Sequence, residues 1–167
     1  MTRNLLLIVL LVCIALVFSV CGGEGEGTEE GSPEPAKKAM TEPNKEEGIA
    51  VAKEILETFD KAVAEAAELA KTKPEAAELK PKLEALYKKY EETMKEINTR
   101  YLALKDKDIA QFGACNGYLG ENRGKHVFKK DEVLNEYVSH YYSKGEQEIF
   151  QLLSKEIIKM LDVAVQR

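Results

Sequence analysis

The chain has 167 residues, 32% of them charged and 44% hydrophobic, which is a globular composition sized for one domain. Its formal net charge is −5, with 29 acids against 24 Lys and Arg, so it lacks the basic surface that phosphate backbones require, and nucleic acid is excluded as a partner. Only two histidines and three cysteines are present, which narrows the metal and redox chemistry open to it.

Residues 1–20 read as a targeting segment. MTRN carries Arg3, and LLLIVLLVCIALVFSV, residues 5–20, is almost unbroken apolar. A cationic start followed by an apolar run is a secretory signal rather than part of a fold. The run is short for a membrane span, which needs about 20 residues, although an uncleaved anchor is the alternative. It ends in Phe18-Ser19-Val20-Cys21 and is followed by Gly22 and Gly23. This order resembles a bacterial lipoprotein precursor. The resemblance covers residues 1 to about 45 and implies an acylated Cys21, cleavage before it, and a membrane partner held through that lipid. Multiple acyl chains are needed, because one holds a protein only marginally. Gly22 in place of Asp resembles outer-membrane sorting in a Gram-negative envelope. Phe18 and Val20 stand where the family usually has Leu and a small residue. Cleavage by an ordinary signal peptidase after Ser19 or Gly22 is the alternative.

Residues 21–45 come next as lipidated cysteine and tether. GGEGEGTEEGSPEPAKKAMTEPNK lacks large apolar groups and is rich in Gly, Glu and Pro, so it cannot bury enough surface to offset chain entropy. As a flexible coil it spans about 27 Å.

The domain is expected over 46–167. Asn44 and Glu47 have capping-box spacing. Ala52, Ile55, Leu56, Phe59, Ala62, Val63, Ala66 and Ala70 then recur at helical intervals, giving a first helix over 46–71. Pro81 is expected to divide the next segment into a short helical piece and a long helix from about 82 to 110. Leu83, Leu86, Tyr90, Met94, Ile97, Tyr101 and Leu104 form a coiled-coil-like seam along it, with Ile109 and Phe112 continuing the apolar face. Residues 111–130 hold four glycines and are expected to form a loop, the kind of segment that often carries function. Asp131 is placed to cap a third helix with Val133, Leu134, Tyr137, Val138 and Tyr141 inward. Gly145 interrupts it, and Ser143 with Glu146 is placed to cap a last helix. That helix carries Ile149, Leu152, Leu153, Ile157, Met160, Leu161 and Ala164 as its stripe. The fold class is therefore all-α, an antiparallel bundle of three to four helices. Its stripes bury against each other or against another copy, which makes a homo-oligomer one open arrangement.

The 111–130 segment supplies the candidate site residues. Tyr118, Arg123, Lys125, His126, Phe128, Lys129 and Lys130 combine the one basic cluster of an acidic chain with two aromatic anchors. They suit a protein partner or an anionic envelope partner. Cys115, with His126 eleven residues on, is the alternative: an exported thiol-dependent enzyme or redox protein. With Cys21 acylated, Cys115 is the lone thiol of the exported chain, and its ordinary role is that of a small buried apolar residue. No cofactor is expected. Covalent haem lacks its C-x-x-C-H, His140 with Met94 or Met160 is an ordinary packing pattern, and Glu136-x-x-x-His140 occurs once where a di-metal bundle needs two Glu-x-x-His pairs. Zinc would need Cys115, His126, His140 and a carboxylate to converge, and nothing in the spacing demands it.

Overall fold

The computed structural model describes residues 44–166, so the expected leader, Cys21 and most of the expected tether lie outside the described residues. The described chain forms α1 (Glu46–Ala70), α2 (Ala76–Lys107), α3 (Ile109–Ser143), α4 (Gln147–Gln151), a π-helical turn (Leu152–Glu156) and α5 (Ile157–Val163). The last three run on without a break, so the architecture is a bundle of four helical rods joined by tight turns. There is no strand among the described residues. No helix among them is long and apolar enough to cross a membrane.

The apolar stripes do what their spacing requires. Every position of the α1 stripe is buried, and so are all seven seam residues of α2 from Leu83 to Leu104. The last rod buries Ile149, Leu153, Ile157, Met160, Leu161 and Ala164 against them, with Leu152 half-buried. These three stripes are thus satisfied within one chain, whereas Ile109, expected to continue the α2 face, is 73% exposed.

Four local expectations are corrected. Pro81 does not break its helix, because it sits early in α2 and removes a single backbone donor. Leu79, Leu83 and Leu86 are buried on either side of it. Each contributes roughly 1.5–3 kcal/mol, which outweighs the cost of about 3 kcal/mol for a proline within a helix. Second, the helix ends at Lys107, and Asp108 takes an extended conformation (φ −156°, ψ 105°). Its Oδ1 accepts from the N–H groups of Ala110 (2.8 Å) and Gln111 (3.4 Å) and starts α3. Third, the expected caps shift. Asn44 Oδ1 does accept from Glu46 N–H at 2.9 Å, but Glu47 pairs with Lys107 at 3.2 Å instead of closing a box. Ser143 Oγ donates back to the His140 carbonyl, and the break is made by Gly145, whose φ of 78° costs glycine nothing.

The largest correction concerns 111–130, which is no loop. It is the first half of α3, helical throughout. Gly113, Gly117, Gly120 and Gly124 are spaced 4, 3 and 4, which is itself a helical period, and all four are exposed. The opposite face carries buried Gln111, Cys115 and Leu119 onto α1. That burial offsets a glycine cost of about 1 kcal/mol per position. Asn116 and Asn122 also donate to the carbonyls one turn back, Phe112 (2.8 Å) and Tyr118 (2.9 Å). Asp131 lies inside α3 and caps nothing. Further along, Leu134 and Tyr141 are buried as expected, Tyr137 and Val138 are half-buried, and Val133 is exposed.

Two contacts set how α3 lies on its neighbours. At the start of α1, a Cβ on Gly48 would fall 2.0 Å from the Gln111 carbonyl oxygen, so only glycine permits this approach. Gln111 uses it: its Oε1 accepts from Gly48 N–H (2.8 Å) and its Nε2 donates to the Asn44 carbonyl. A buried amide thereby caps the α1 terminus. At the other side, Tyr87 of α2 donates its O–H to the Leu152 carbonyl (2.9 Å), and Lys130 of α3 donates Nζ–H to the Ser154 carbonyl (3.2 Å). Both acceptors lie in the π-helical turn, so both neighbouring helices grip the last rod where its ladder widens.

Candidate functional site

Helix periodicity decides what becomes of the basic cluster. Successive residues turn by about 100° around α3, so neighbours in sequence point to different partners. Arg123 faces the last rod, where its Nη2 donates to Asp162 Oδ1 at 2.6 Å. His126 and Lys129 both face α1 and share one carboxylate. His126 Nδ1 lies 2.9 Å from Asp60 Oδ1, and Lys129 Nζ 2.7 Å from Asp60 Oδ2. Burial raises the Asp60 pKa, but the hydrogen bonds from Lys129 and His126 more than offset it, and the carboxyl sits below its ordinary range. Lys130 points into the bundle, its side chain 3% exposed, with Asp131 Oδ1 2.5 Å from its ammonium. Lys125 and Phe128 project outward, as does much of Lys129; Phe128 is 64% exposed, and Lys125 Nζ donates to Asn122 Oδ1 at 3.0 Å. Tyr118 is half-buried, with Lys53 Nζ 5.8 Å from its ring centroid. The seven residues therefore form no single basic patch. The helix distributes them to two neighbouring rods, the interior and solvent.

Cys115 and His126 are not brought together. Eleven residues along one helix separate them by about 16 Å. Cys115 is fully buried against α1, and burial pushes its thiol up to about 11. A thiol held protonated, with His126 committed to Asp60, lacks the base a nucleophile needs. Met94 and Met160 are core residues. Glu136 pairs with Lys73 at 2.6 Å, and that cation lowers its pKa. His140 packs edge-on against Tyr141, and its Nε2 is buried with no hydrogen-bond partner. Among the described residues, no group of three or more His, Cys, Asp or Glu lies together as a metal site would require.

The most site-like feature is an open cleft of about 600 Å³ beside α3. Ile55 and Leu56 of α1, Tyr101 of α2 and Leu161 of α5 form its floor. Leu119, Gly120, Gly124 and Val127 form the α3 wall, with Asn116 and Arg123 at its edge. A Cβ on Gly120 or Gly124 would meet nothing within 4 Å, so the two glycines leave the mouth open. The polar groups in the wall are engaged. Tyr101 O–H donates to Asn116 Oδ1 at 3.0 Å, and the Asn116 amide is spent on Phe112. Arg123 is the one charged residue lining the cleft. Of the candidate site residues named from the sequence, only Arg123 belongs to it. The rest of the lining comes from the same helix, from the α1 and α2 seams and from the end of the last rod. The one sequence signal for it is the placement of Gly120 and Gly124 one turn apart around Arg123. No protein-family model, curated protein or solved structure matches the chain.

Proposed function

We propose that the chain is an exported lipoprotein of the cell envelope, anchored by acyl chains on Cys21, whose helical bundle is a binding module presented on a tether. The order of residues 16–35 carries this reading: an apolar run, an attachment cysteine, two glycines, then acid and proline. A described bundle whose first helix starts at Glu46, and whose α1, α2 and last-rod stripes bury within one chain, supports it, since such a domain needs no membrane or partner to complete its core. Within that domain, the α3 surface and the cleft beside it are the contact region. The thiol-dependent alternative finds no support in the geometry around Cys115. Growth with an alkyne-tagged palmitate tests the anchor. The tag is expected on the wild-type protein and absent from Cys21→Ser. Equal tagging of both proteins, or of neither, overturns the reading.

A further inference from the structure

The bundle has three grooves large enough to compare with the cleft beside α3. The groove between α2 and α5 is of similar size, about 610 Å³, but Glu84, Glu91, Glu156 and Asp162 line it together with Lys88 and Lys159. That mixed charge offers no apolar body a place. The groove between α1 and α2 over Leu69 and Leu86 is wide open, and the one beside Arg100 is half the volume. In the latter, Arg100 is held by Glu54 on both arms (2.5 and 2.7 Å).

We propose that the cleft formed by α1, α3 and α5 binds a single-chain amphiphile with an anionic head, of the fatty-acid class. This rests on reading the domain as a binding module and adds the ligand class. Small-molecule sites are concave, mostly apolar, and oriented by a few polar groups. Here the floor and wall are mostly apolar, and every polar group of the lining is engaged within the protein. Arg123 alone keeps several donors free. A guanidinium carries five donors in a fixed fork, and only Nη2 meets Asp162. Asp162 itself is exposed and lies outside the cleft lining. An arriving carboxylate thus finds a cation with donors to spare at the rim, and its alkyl chain finds aliphatic floor. A cationic head finds no carboxylate in the lining to meet it, and a neutral head leaves the spare donors unmatched in charge.

The test uses the full chain in its membranes. A dodecanoate bearing a photo-activated diazirine is added and cross-linked, and the labelled peptides are mapped by mass spectrometry. Label is expected on peptides holding Val127, Leu161 and Val165. Unlabelled dodecanoate should compete with it, whereas dodecyltrimethylammonium should not. Gly120→Leu places a side chain over the mouth at an exposed helical position, so the fold is kept, as a thermal melt will check, and the labelling is lost. Arg123→Gln is expected to weaken labelling about tenfold, the loss of one charge-assisted hydrogen bond. Labelling indifferent to head-group charge, labelling confined to other faces, unchanged labelling in Gly120→Leu, or cross-linking to a second copy instead of the probe each overturns the proposal. Acylation of Cys21 is scored in the same membranes. Failure of cleft labelling with Cys21 acylated therefore counts against this inference alone.

Discussion

Gly48 and Cys115 face each other across the α1–α3 contact, and each owes its chemistry to how close the two helices come. A Cβ at position 48 would collide with backbone rather than with a movable side chain. Gly48→Ala should therefore cost about 2–3 kcal/mol in urea unfolding, against the slight gain alanine brings to an unconstrained helix. No loss would mean a looser approach of the two helices. For Cys115 the expectation is silence. In the folded protein it should resist iodoacetamide at pH 8 and react once the chain is unfolded. Rapid labelling of the native protein would revive a thiol chemistry. The raised pKa sets the sign of its pH dependence. The unfolded chain loses its thiol proton near 9.0 and the folded one only near 11, so this group's contribution to stability is intact below the first value and is lost between the two.

At the scale of the element, α3 is where sequence and structure part most. Four glycines between 113 and 130 are the ordinary signature of a loop, and propensity alone argues against a helix. What the glycines share is an exposed face, where an added Cβ meets no neighbour and where Gly120 and Gly124 open onto the cleft. The seam that holds the segment helical, Gln111, Cys115 and Leu119, is sparse and mostly not strongly apolar, so it leaves a weak periodic trace. The helix start was legible in principle, since Asp108 and Gln111 have capping-box spacing. Gln111 then turns to α1 rather than back to Asp108, a long-range choice that local reading does not reach. By contrast the seams of α1 and α2 were wholly legible, because strongly apolar residues at strict spacing bury themselves whatever the neighbours are. The basic cluster was legible only as composition, and the helix scatters it. Its two inward-facing links are testable. Lys130→Met should keep or raise stability, because a methionine fills the space of a buried cation without its desolvation. A loss above about 3 kcal/mol would mean the ammonium's bond to Ser154 holds the π-helical turn together. Asp60→Asn should cost about 1 kcal/mol at neutral pH, as His126 and Lys129 lose the shared charge and one of its two acceptor oxygens. The folded carboxyl titrates below its ordinary 3.8, so its contribution is present above that value and lost as pH falls through the folded pKa. Parent and variant should converge in acid; a constant difference would place the effect in packing.

For the whole molecule, the fold class comes from the sum of the seams, and the cleft does not. Its lining is drawn from four elements, and its apolar floor residues taken singly read as core. On the proposed reading, a bundle whose core is completed by its own helices lets the expected tether serve presentation rather than folding. The claim on which the functional account rests is the attachment at Cys21. The intact mass of the protein extracted from its own membrane tests it most directly. The account predicts the mass of residues 21–167 plus two or three acyl chains. A lipid-free mass beginning at Val20 or Gly23, or an unprocessed chain from Met1, would contradict it.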